Sequence, residues 1–163
     1  MGHSYHQAPD RSGQPSSRLT PPARFEWTRQ PGTGPRAYIL GNLAGATVIE
    51  LGCGGGHNLA HLVARHGVTG IGIDADPAKI NRARAGYGHL PAIRFIIADA
   101  RRYLATAVPG SADVLLSIFG VFSFTDAQPI LPGAARMLRP GGLLAVTLRA
   151  DEHHDTVVVL RRR

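Results

Sequence analysis

The segment Thr47 to Asn58, TVIELGCGGGHN, constrains the fold of this chain more than any other. Val48, Ile49 and Leu51 read as a buried strand, and Gly52, Gly54, Gly55 and Gly56 read as a turn. From Asn58 onward, Leu59, Leu62 and Val63 recur at helical spacing. A glycine turn between a strand and a helix lets a ligand approach the backbone closely. The helix N-terminus behind it offers free N–H groups and a partial positive charge. Such an element suits a nucleotide-like ligand at the carboxyl end of a parallel strand.

The same alternation continues along the chain. Strand one, Val48–Leu51, leads to a helix over Asn58–His66 that Gly67 stops. Strand two, Gly70–Ile73, ends at Asp74. Asp76 and Pro77 then cap and start a helix that runs through Ile80 and Ala83 to about Ala85. Strand three, Ile93–Ile97, precedes Asp99 and a short helix over Arg101–Ala107. Strand four is Val114–Ile118. Asp126 reads as the cap of a helix carrying Ile130, Leu131, Ala134, Met137 and Leu138. Pro140-Gly141-Gly142 breaks that helix before strand five, Leu143–Leu148. Short continuous apolar strands between helices predict an α/β fold, a doubly wound Rossmann-like parallel sheet in three layers.

A chain of 163 residues holds one domain. Residues 1–22, rich in Ser, Pro, Gln and Gly, are expected to be a disordered tail. Residues 23–150 form the folded domain, and 151–163 a tail or a truncated strand. Pro35 is expected to open a short helix reaching Leu43. Trp27 reads as a pin for the N-terminal arm rather than a lid over a ligand. The 18 Lys and Arg against 11 Asp and Glu give a net charge of +7. Lys79 is the single lysine, and the arginines are scattered apart from Arg101–Arg102 and Arg161–Arg163. Such scatter fits the bias of a G+C-rich coding sequence better than a nucleic-acid face. The single cysteine, Cys53, excludes an internal disulfide. No apolar run is long enough to span a bilayer and no signal pattern opens the chain, so a cytoplasmic protein is expected.

Open α/β sheets bind ligands at the carboxyl ends of their strands. Four features converge there: Glu50 with Gly52, Gly54 and Gly56; Asp74, 20 residues beyond Gly54; Ala98-Asp99-Ala100; and the segment from Ser117 to Asp126. A carboxylate at Asp74 can accept hydrogen bonds from a ribose diol. One at Asp99 can accept from an exocyclic amine. A dinucleotide turn requires G-x-G-x-x-G, and read from Gly52 its third glycine falls on His57. The pattern is instead acid-x-G-x-G-x-G. Glu50 suits a cationic ligand better than a pyrophosphate.

On these residues the chain resembles the class I S-adenosylmethionine-dependent methyltransferases of small-molecule type, from about Tyr38 to Leu148. VIELGCGGG resembles the family's first motif, GIGIDADPAKINRAR its second and FIIADARRY its third. AARMLRPGGLLAVTL resembles its turn into strand five. The resemblance implies S-adenosyl-L-methionine as cofactor. Gly52, Gly54 and Gly56 would line its methionine portion. Asp74 would hold the ribose hydroxyls and Ala75 would flank the adenine. Asp99 would take the adenine amine and Ala100 a ring nitrogen. Glu50 would order the loop and the amino group, and Ser117 and Phe119 would flank the methyl. The implied acceptor is a small molecule, with nucleic acid disfavoured and no membrane partner.

Other readings stay beside these. Cys53 reads as a small filler before a catalytic thiol, and His57 and His61, one helical turn apart, as ordinary helix residues before metal ligands. His3 and His6 in the tail, and His153-His154 among Asp151, Glu152 and Asp155, read as solvated before metal-binding. Phe119, Phe122 and Phe124 fit an acceptor pocket or the core equally. Phe122 stands where many relatives carry a His, and Ile118-Phe119-Gly120-Val121 replaces the signature of nucleobase amine methylation. No general base is therefore named. The family's sheet ends in an antiparallel hairpin of strands six and seven. This chain stops soon after strand five, so those strands are expected to be missing, although Thr156–Leu160 could begin one. A non-catalytic cofactor-binding remnant or partner subunit, a NAD-dependent oxidoreductase and an RNA methyltransferase are the alternatives, the last on net charge alone.

Overall fold

Apolar runs become strands, and glycines end the first two α-helices between them. The computed structural model describes residues 18–124, 128–149 and 154–163. Six strands form one sheet: β1 (Thr47–Leu51), β2 (Thr69–Asp74), β3 (Ile93–Ile97), β4 (Ala112–Ile118), β5 (Leu138–Arg149) and β6 (Asp155–Arg161). The helices are α1 (His57–His66), α2 (Pro77–Tyr87), α3 (Ala100–Thr106), α4 (Val121–Phe124) and α5 (Leu131–Met137). The order across the sheet is β3-β2-β1-β4-β5-β6. The first five strands are parallel in register, with Val48 opposite both Gly70 and Val114.

Alternate residues of each strand feed two apolar layers, which is the pleat at work. Val48, Val114 and Leu116 face Leu59, Leu62, Ile80 and Ala83 of α1 and α2. Ile49, Leu51, Leu115 and Val146 face Leu104 of α3 and Ala134 and Met137 of α5. The three-layer α/β expectation is the fold observed. Local signals hold as well. Asp76 accepts from the backbone N–H of Ala78 and Lys79 at the start of α2, and Gly67 closes α1 in the left-handed region.

Three expectations are corrected. The antiparallel strands are not all missing: β6 pairs antiparallel with β5 from Leu143↔Arg161 to Arg149↔Asp155. The open edge of β5 offers a row of unpaired backbone groups, and the β-branched run Thr156–Val159 satisfies it. The expected tail is already ordered at residues 18–22. Leu19 N–H donates to Gly86 O at 2.9 Å, and the Pro22 carbonyl meets His61 Nδ1 at 2.8 Å. The expected helix from Pro35 to Leu43 is one short 3-10 helix, Ala37–Leu40, which still buries Leu40 and Leu43. Asp126, the expected cap, lies outside the described residues, and α5 begins at Leu131. No helix among the described residues is long and apolar enough to cross a membrane.

Candidate functional site

The order of the sheet reverses between β1 and β4, and a crevice opens at their carboxyl ends, where such sheets bind ligands. Gly52, just past β1, has φ +75°. A Cβ there would lie 2.8 Å from Gly120 Cα, so the two backbones touch and only glycine fits. The loop is tied down from β2. Gly52 and Cys53 N–H both donate to Ile73 O, at 2.7 and 2.9 Å. Gly54 N–H donates to Asp74 Oδ2 at 2.9 Å, while Asp74 Oδ1 accepts from Asp76 N–H at 2.9 Å. Asp74 therefore sets the shape of the glycine loop and still lines the crevice.

The crevice has two halves. One, of about 250 Å³, is lined by Ala75, Ala98, Asp99 and Ala100. The other, of about 590 Å³, is lined by Glu50, Gly52 and Gly54 and by the N-terminal arm through Glu26, Thr28 and Arg29. Gly52, Asp74, Lys79 and Phe119 line both. Asp99 accepts from Arg102 N–H at 3.0 Å as the cap of α3, so it serves as cap and as wall together. Gly56 lines neither half. A Cβ on it would run into the Phe95 ring, so its glycine is a packing requirement. Ser117 is fully buried and also lines neither half. Phe119 lines both, at φ +51°, the one non-glycine residue with positive φ among the described residues. Backbone strain of this kind, about 1–3 kcal/mol, tends to gather at functional sites.

Glu50 is 3 % exposed. Burial, followed by the negative charge of Asp74, pushes its pKa up to about 8, against a hydrogen bond from the backbone of Leu59. Its Oε2 is buried with no hydrogen-bond partner among the described residues. The Cys53 thiol is pushed well above its ordinary range, first by burial and then by Glu50 and Asp74. It is no nucleophile. It fills space against Gly72, where a Cβ would come within 2.8 Å of its Sγ.

The histidines have other partners. His57 Nδ1 meets Tyr87 Oη at 2.7 Å. His61 Nδ1 is held by Pro22 O, and burial first of all lowers its pKa. Trp27 is completely buried, 4.6 Å from the Phe25 ring, and pins the arm as expected. Phe122 packs in the layer of α3 and α5. His3, His6, His153 and the Phe124 side chain lie outside the described residues.

Sequence reasoning missed two parts of the wall. One is Lys79, whose place five residues after Asp74 was a usable signal. The other is the arm itself. Asn58 holds it by accepting from Glu26 N–H at 2.9 Å and donating to Glu26 O at 2.8 Å. That pairing spans 32 residues and leaves no local pattern.

The family model described as "Methyltransferase domain" matches residues 48–142. The chain belongs to the class I S-adenosylmethionine-dependent methyltransferases. It is 37 % identical over 130 residues to trans-aconitate 2-methyltransferase of Methylobacterium radiotolerans, covering 77 % of this chain and 46 % of that protein. A Haloferax volcanii methyltransferase, solved in complex with the Trm112 methyltransferase activator, is 28 % identical with a TM-score of 0.59. The match covers 67 % of this chain and 47 % of that one. Phosphoethanolamine N-methyltransferase 2 of Haemonchus contortus, solved with phosphomonomethylethanolamine and S-adenosylhomocysteine, shares the fold at 21 % identity and a TM-score of 0.63. There the match covers 68 % of this chain and 26 % of that one. The chain spans about half the length of the curated relatives it matches.

The cofactor is S-adenosylmethionine, and the crevice suits it. Glu50 lines the larger half, and its Oε2 is buried without a hydrogen-bond partner among the described residues. Asp74 uses two of its lone-pair positions on backbone N–H groups, and a carboxylate has about four.

Proposed function

We propose that this chain transfers a methyl group from S-adenosylmethionine to a small carboxylate acceptor. The observation that carries the reading is the continuous two-part crevice, with Glu50, Asp74 and Asp99 along it. In this reading Asp74 receives the ribose hydroxyls and Asp99 the adenine amine, between Ala75 and Ala100. Gly52 and Gly54 approach the methionine portion, and Glu50 ionises against its amino group. Gly56 and Ser117 support the wall from behind. When bound, the cofactor supplies a methyl group on a sulfonium, which the acceptor's lone pair displaces in line.

The protein's work is then alignment and exclusion of water. Phe119 and Gly120 form the wall near the junction of the two halves, and the arm closes the larger half through Thr28 and Arg29. A carboxylate acceptor supports this reading on two grounds. It is already a nucleophile near neutral pH, so it needs no general base. Lys79 lines both halves, with Arg24 and Arg29 in the larger one, and these cations offset Glu26, Glu50 and Asp74 there. A relative named for trans-aconitate, itself a carboxylate, points the same way.

The test is transfer of radiolabelled methyl from S-adenosylmethionine to panels of small carboxylates, phenols and amines. Alkali-labile label on the carboxylates, as methyl esters, is the expected result. Stable label on phenols or amines would move the acceptor class. No transfer to any panel, with S-adenosylhomocysteine still bound, would favour a cofactor-binding subunit without catalysis.

A further inference from the structure

A second cavity, of about 360 Å³, lies where the arm, the 3-10 helix and the last turn of α1 meet. Its charged lining has one sign. Arg24, Arg36, Arg65 and His66 line it, and no Asp or Glu does. The nearest acid to Arg24 is Glu26, whose Oε2 is 3.7 Å from Arg24 Nε, beyond hydrogen-bond reach. That Nε is buried and has no hydrogen-bond partner among the described residues. No salt bridge pairs Arg36 or Arg65 with an acid among the described residues.

The C-terminal dipole of α1 accounts for Arg65 and His66 taken alone. It does not account for Arg36, which comes from another segment; Arg24 also lines the cavity, with its Nη2 donating to Thr33 O at 3.2 Å and to Gly34 O at 2.9 Å. The positive potential there is also felt by His61. Burial is the first cause of its lowered pKa, and His66 and Arg65 push it the same way. Arg24, Arg36 and Arg65 bring positive charge to one cavity. Guanidinium forks match the oxygens of phosphate in geometry and charge. Tyr38, 71 % exposed, stands at the rim.

We propose that this cavity is a binding site for the phosphate group of a small ligand, distinct from the cofactor crevice although Arg24 lines both. The site does not rest on the methyltransferase reading, and its test does not either. Inorganic phosphate and pyrophosphate are titrated calorimetrically into the full chain at low ionic strength, with and without saturating S-adenosylhomocysteine, against chloride as control. Saturable binding of one anion per chain is expected, unchanged by S-adenosylhomocysteine. The doubly substituted Arg36→Gln, Arg65→Gln chain should weaken it by about tenfold or more. Both arginines are exposed, so the fold should survive, and an unchanged affinity for S-adenosylhomocysteine or an unchanged Tm certifies that. Arg24 stays intact because it also lines the cofactor crevice. Three results would overturn the site: no saturable heat above chloride, phosphate displaced by S-adenosylhomocysteine, or equal affinity in the doubly substituted chain.

Discussion

Glu50 meets two opposed demands. Buried beside Asp74, its carboxyl has a pKa raised from 4.5 to about 8 in the folded chain. The unfolded chain keeps the ordinary value. Between those limits the folded state holds a proton that the unfolded state releases, so stability falls as pH rises from about 4.5 to about 8. Glu50→Gln removes the titration. Its Tm should exceed that of the unmodified protein at pH 8, by about 6–12 °C for about 3 kcal/mol in a domain of this size, and the gap should close toward pH 4.5. Melting curves that stay parallel across that range would defeat the reading. The same variant should bind S-adenosylhomocysteine about tenfold more weakly, because the ligand's ammonium loses an anionic partner. The glycines separate by the same logic. Gly52→Ala forces a Cβ to 2.8 Å from Gly120 Cα and should lose cofactor binding by about a hundredfold, since the loop must shift. Gly54 also has positive φ, but a Cβ there meets nothing within 4 Å. Gly54→Ala should cost about 1–2 kcal/mol in stability without moving the loop, and weaken S-adenosylhomocysteine binding only through the methyl it adds to the crevice wall, by less than Gly52→Ala does. Paired calorimetry and thermal melts read both.

Among the elements, β6 and the N-terminal arm act together. Asp155, at the first residue of β6, accepts from Arg29 N–H at 2.8 Å and from Arg29 Nε at 2.9 Å. Its side chain is only 7 % exposed. Arg29 and Thr28 line the larger half of the crevice, so the last strand holds a wall of the site. Asp155→Ala should loosen the arm, speed tryptic cleavage after Arg29 and weaken S-adenosylhomocysteine binding several-fold, with a Tm loss worth about 1 kcal/mol because the pair is partly solvated. Unchanged cleavage and affinity would show that Trp27 and Asn58 suffice to hold the arm. This linkage was not legible in the sequence. β1 to β5, α1 and α2 were, because each is written locally: an apolar run, an acid at the strand end, Asp76 as cap, Gly67 as stop. β6 was read only as a strand that might begin, because its pairing depends on which edge of β5 stays open. Pro140-Gly141-Gly142 was read as a break before a strand at Leu143. The backbone there is instead drawn into pairing, with Gly141 N–H donating to Arg162 O and Arg162 N–H to Gly142 O. Glu50, Asp74 and Asp99 were legible because each stands at or just beyond the carboxyl end of a strand. The arm was not, because Glu26 meets Asn58 only through the fold.

At the scale of the molecule, the crevice joins parts of very different expected stability. β1 and β4 lie in the middle of the sheet and are buried along almost their whole length. β6 lies at the edge, with Leu160 and Val159 exposed at 52 % and 37 %. The arm is held by two buried aromatic rings and a few long-range hydrogen bonds. Local opening should therefore be rarest in β1 and β4 and most frequent in the arm and β6. A ligand that touches both kinds of part transfers its binding energy to the weaker ones. At a hundredfold excess over Kd, S-adenosylhomocysteine should add about 2.7 kcal/mol, or a Tm rise of roughly 5–10 °C. Hydrogen exchange then locates the gain. Amides of residues 26–30 should slow together with those of residues 52–56, while β1 and β4, already limited by global unfolding, should slow only by the global increment. Slowing confined to residues 52–56 would mean that the ligand sits on the glycine loop without engaging the arm, and the larger half of the crevice would then be open to solvent when the cofactor is bound.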